Sequence, residues 1–82
     1  MSEPTPTRVE VEEQVQEVSA RYSEQLLLER RVGAPDAERM KLLRDGLAEC
    51  AADLASLPDA DAAQLKEIAA RYAARLKEFR GQ

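Results

Sequence analysis

Apolar residues recur at three- and four-residue steps along three stretches of this chain, and turn-forming residues separate the stretches. On a helical wheel of about 100° per residue, Val11, Val15, Val18, Tyr22 and Leu26 share one face of the first stretch. In the second, Met40, Leu43, Leu47, Cys50, Leu54 and Leu57 alternate three- and four-residue steps without a break, the spacing of a heptad seam. Leu65, Ile68, Ala69, Tyr72, Leu76 and Phe79 form the stripe of the third. The only alternating segment, Val9-Glu10-Val11-Glu12, is too brief to compete as a strand.

The punctuation agrees with three helices. Thr7 and Glu10 have capping-box spacing, which predicts a first helix from Arg8 to Val32, stopped by Gly33-Ala34-Pro35. A second helix is expected over 36–56. Pro35 or Asp36 opens it, with Asp36 and Glu38 at the positive end of the helix dipole, and Pro58 ends it. Asp59 or Asp61 opens a third over 59–80. Asp61 and Gln64 repeat the capping-box spacing, and Arg75, Lys77 and Arg80 sit near the negative end of its dipole. Residues 1–7, with Pro4 and Pro6, read as a disordered or extended tail, leaving 8–82 as a single helical domain. Helices of about 20–25 residues span about 30–37 Å. Similar lengths and short connections make them antiparallel neighbours. The fold class is therefore all-α: a three-helix antiparallel bundle with coiled-coil-like packing, expected to self-associate or be completed by a partner.

Composition narrows the function more than it names one. The 82 residues are 44% hydrophobic, 34% charged and 4% aromatic, which is too apolar for a disordered chain and too charged for a membrane span. Without His, the commonest general base and metal ligand is missing, and one Cys cannot build a disulfide or a thiolate zinc site. Gly33, Gly46 and Gly81 stand alone, so no glycine-rich phosphate loop is present. The net charge of −4 has the wrong sign for binding a phosphate backbone. We expect no cofactor, no metal, no nucleic acid and no membrane partner. The N-terminus lacks a signal-peptide pattern, so the cytosol is the expected compartment, and the excess of Arg over Lys with abundant Ala points to a GC-rich bacterial genome.

Some side chains exceed what one core requires. Leu28 and Val32 share a flank of helix 1, Leu27 lies near its opposite side with Val9 and Ala20, and Leu42 stands about 100° from the helix 2 seam. Scattered surface leucines are ordinary, but a contiguous apolar patch marks an interface. Leu27, Leu28, Val32 and Leu42 are thus candidate contacts with a protein partner or a second copy. The acidic start of helix 1 offers Glu10, Glu12 and Glu13 to a basic partner. Residues 1–29 carry seven acids against two arginines, although dipole compensation and solvation account for much of this.

Residues 17–26 also resemble residues 67–76: Glu, Ala, Arg, Tyr and Leu coincide. Either the two helices present Tyr22 and Tyr72 to equivalent grooves, or amphipathic helices of Ala, Glu, Arg and Leu have converged. Both readings expect the tyrosines in similar, half-buried environments with the hydroxyl at the rim, and both residues join the interaction set. Gly46, mid-helix and beside the seam, points to close helix contact or a slight bend. Cys50 reads as a small buried hydrophobe.

Three functions fit these features. The first is a non-catalytic helical interaction module, such as an adaptor, chaperone subunit or regulator, acting through exposed apolar faces. The second is an antitoxin or anti-regulator neutralising a basic protein with the acidic first helix. The third is a small all-helical enzyme of chorismate-mutase type, which the length and helix count permit. Arg75 and Gln25 flank the stripes, but no Lys lies in the apolar part of helix 1, so the first function leads.

Overall fold

The computed structural model describes residues 5–31, 33 and 36–81. Three helices, α1 (Arg8–Arg31), α2 (Ala37–Ser56) and α3 (Ala62–Arg80), form an all-α bundle, with no strand among the described residues. Val32, Pro35 and residues 1–4 of the expected tail lie outside the described residues.

Each helix begins where a side chain can satisfy its free N–H groups. The Thr7 hydroxyl accepts from the Glu10 N–H at 3.1 Å and donates to Glu10 Oε1 at 3.0 Å. Asp36 accepts from the N–H groups of Glu38 and Arg39 at 2.9 and 3.2 Å. Asp61 and Gln64 close a complete reciprocal box, both bonds at 2.8 Å. Helix α3 therefore starts later than residue 59. Pro58 has no N–H to continue α2, and Leu57–Asp59 tighten into a 3-10 turn. That turn carries Leu57 and Ala60 into the core, 3% and 7% exposed.

Side-chain contacts set the directions. Tyr22 lies against Gly46, and Arg39 bonds Gln25, so α1 and α2 run antiparallel. Gln14 donates to the Ala69 carbonyl and Tyr22 packs on Phe79, so α1 and α3 run parallel. Asp53 meets Tyr72 while Glu49 meets Arg75, so α2 and α3 are antiparallel. Helix α1 is the middle element: it packs closely on both others, whereas α2 and α3 approach each other less closely. Its position explains why Val11, Val15 and Val18 are fully buried. The helix 2 seam is wetter: Leu43, Cys50 and Leu57 are buried, but Met40, Leu47 and Leu54 are half-exposed.

Arg8 ties the start of α1 to the turn between α2 and α3. Its Nε donates to the Leu57 carbonyl at 2.7 Å and its Nη2 to the Ala60 carbonyl at 3.0 Å. The Leu57 carbonyl also accepts from the Ala60 N–H at 3.1 Å, so the cation adds a second bond there, just past the negative pole of the α2 dipole.

Candidate functional site

The polar centre of the molecule lies in the gap between α2 and α3. Glu49 and Asp53 are four residues apart on α2, and Arg71 and Arg75 are four apart on α3, so each pair stacks on one helix face. Arg71 Nη1 bonds Glu49 Oε1 at 2.8 Å and Asp53 Oδ2 at 3.3 Å, and its Nη2 reaches Asp53 Oδ1 at 3.4 Å. Arg75 Nη2 bonds Glu49 Oε2 at 2.7 Å. Two cations meet two anions, so the quartet is neutral.

Tyr72 sits beneath it. Its ring is completely buried, with the Arg75 guanidinium 5.0 Å and that of Arg71 5.9 Å from its centroid. Its hydroxyl donates to Asp53 Oδ2 at 2.5 Å. Burial, and then this bond to a carboxylate, push the phenol far above its ordinary range. Burial likewise raises the Cys50 thiol beside it. A phenol and a thiol that hold their protons this firmly are poor bases and poor nucleophiles at neutral pH. Arg71 Nε and Arg75 Nη1 are buried without a hydrogen-bond partner. What this arrangement does is clamp α3 to α2 across a gap too wide for direct backbone packing.

The two tyrosines do not share an environment. Tyr72 is dry and bonded to Asp53. Tyr22 is half-buried, its ring edge-on to Phe79 at 5.2 Å between centroids and 76° between planes, and pressed against Gly46. The expectation of equivalent, half-buried tyrosines therefore holds for Tyr22 alone. The reason is topological: Tyr22 projects from the central helix between both neighbours, whereas Tyr72 projects from a lateral helix into the core. Tyr72 has no surface to offer a partner.

The apolar candidates lie elsewhere. Leu27 and Leu28 are each 54% exposed and Leu42 70% exposed. Phe79, near the end of α3, is level with Tyr22, so α1 continues beyond the point where α3 stops. Leu28, on the flank of α1 that faces α3 lower down, is bare for that reason. Glu10, Glu12 and Glu13 are exposed at the opposite end of α1. Comparison with family models, with curated proteins and with solved structures finds no match. Among the described residues, no group of three or more His, Cys, Asp or Glu is placed to hold a metal ion, and no helix is long and apolar enough to cross a membrane.

The quartet is not evident from the helical wheels. A signal was present, since paired acids and paired arginines four residues apart flank adjacent stripes, but only the helix register brings them together. Arg8 carried no such signal, because its partners are backbone carbonyls.

Proposed function

We propose that this chain is a small non-catalytic helical interaction module, an adaptor, chaperone subunit or regulator of the cytosol, that binds a protein partner through apolar residues of the α1–α2 hairpin. The observation that carries the reading is that Leu27, Leu28 and Leu42, large apolar side chains, are left 54%, 54% and 70% exposed by the three-helix core. The polar centre supports it from the other side, because its charges are spent on one another and its phenol and thiol are held protonated. Capture from the native cell with matched baits tests the reading. Wild type and Val9→Glu, which changes an exposed residue at the far end of α1, should retain the same partner, and Leu28→Glu and Leu42→Glu should lose it. Equal capture by all four baits would refute it.

A second reading rests on a specific observation. Glu10, Glu12, Glu13 and Glu17 are exposed on the first half of α1 and take part in no ion pair among the described residues. Such an unneutralised acidic end of α1 suits an antitoxin or anti-regulator that covers a basic protein.

A further inference from the structure

The back of α1 carries a pattern that is complementary to itself. Leu27 and Leu28 are adjacent and equally exposed. Glu24 and Arg31 stand three residues to either side of this pair, also exposed, and neither takes part in an ion pair among the described residues. At about 100° per residue, Glu24 and Arg31 fall within about 20° of each other, midway between the two leucines. All four therefore fall within about 100° of one another, on the side of α1 turned away from buried Val11, Val15 and Val18. Seven residues of helix separate the charges by about 10.5 Å, too far to pair within one chain.

We propose that this face is the seat of a second copy of the chain, its α1 lying antiparallel across the first. This rests on the interaction-module reading above and names the partner of its α1 surface. A two-fold axis between Leu27 and Leu28 sets position 27 against position 28 of the other copy, and position 24 against position 31. Each leucine then meets a leucine, and each end of the contact holds a Glu–Arg pair, the self-complementarity that a two-fold interface requires. Two crossing helices bury less than the roughly 1,200–2,000 Å² of a standard interface, so the dimer is weak and dissociates on dilution.

The test is sedimentation equilibrium over a wide concentration range, with circular dichroism confirming unchanged helicity. Wild type should dimerise with rising concentration. Glu24→Arg and Arg31→Glu each turn two attractive pairs into two repulsive ones, which at the modest strength of exposed pairs should weaken self-association about tenfold. Mixing the two variants should restore association to the wild-type level or above, because arginines at 24 and 31 of one chain then face glutamates at 31 and 24 of the other. A wild type that stays monomeric, single variants that dimerise as well as wild type, or a mixture that fails to recover would each overturn the proposal. None of these results touches the capture comparison, which relies on Leu28 and Leu42 and leaves Glu24 and Arg31 intact.

Discussion

Gly46→Ala should destabilise this protein, although the same change in an open helix would stabilise it. Glycine inside a helix costs about 1 kcal/mol relative to alanine. A Cβ at position 46, however, would lie 2.6 Å from Tyr22 Cζ, 2.8 Å from Cε2 and 2.9 Å from Cε1. Swinging the ring away would give up its edge contact with Phe79. Overpacking of this kind costs about 1–3 kcal/mol, so the net loss is about 0–2 kcal/mol. A loss of 1 kcal/mol lowers the melting temperature of a domain this size by about 4–8 °C. Tyr22→Leu removes the three atoms that clash. In that background Gly46→Ala should stabilise by about 1 kcal/mol, the propensity term alone. Urea denaturation of the four proteins closes a double-mutant cycle with an expected coupling of about 1–3 kcal/mol. If Gly46→Ala stabilises both backgrounds equally, close approach is not why glycine stands there.

Stability should fall at alkaline pH. The folded pKa values of Cys50, Tyr22 and Tyr72 are all raised, chiefly by burial, so the native state keeps protons that the unfolded chain releases. Stability is complete below the ordinary values of about 9 and 10 and declines above them by up to about 1.4 kcal/mol per pH unit for each group. Tyr72→Phe should flatten the curve above pH 10, and parallel denaturation profiles for the two proteins would refute Tyr72 as a source. Arg8→Met removes two charge-assisted bonds to the carbonyls of Leu57 and Ala60 and should cost about 1–2 kcal/mol, measured by thermal melting. If an unaltered melt results, water serves those carbonyls equally well. For the captured partner, replacing Glu10, Glu12 and Glu13 with Gln should slow association at low salt and leave dissociation unchanged, while Leu28→Ala speeds dissociation at any salt. Binding that depends on the glutamates at high salt and ignores Leu28 would favour the antitoxin-like reading.

The fold was legible because its determinants are local. Asp36 and Asp61 cap where their spacing says they should, and the stripe of α1 identifies buried Val11, Val15 and Val18 without any knowledge of their neighbours. Exposed Leu27, Leu28 and Leu42 were legible by subtraction, as apolar residues left off the stripes. What escaped depends on register between helices. The link from Arg71 to Glu49 and Asp53 exists because α2 and α3 pass at one particular offset. A shift of one turn would carry Arg71 past Asp53 and remove the hydroxyl of Tyr72 from its carboxylate.

The near-repeat of 17–26 and 67–76 shows how far identical residues can diverge in role. Arg21 is exposed, whereas Arg71 holds two carboxylates. Gln14 reaches across to the Ala69 carbonyl of α3, whereas Gln64 folds back to cap its own helix. Tyr22 fills the space left by a glycine, and Tyr72 bonds an aspartate in the core. Equivalent grooves would have required equivalent neighbours, but α1 is flanked on two sides and α3 is lateral. An amphipathic helix is specified by the spacing of its apolar residues, and two helices can share that spacing without sharing partners. The environments therefore favour convergence on a common helical pattern over a pair of matched binding helices, and the proposed partner surface rests on the back of α1, not on its tyrosine.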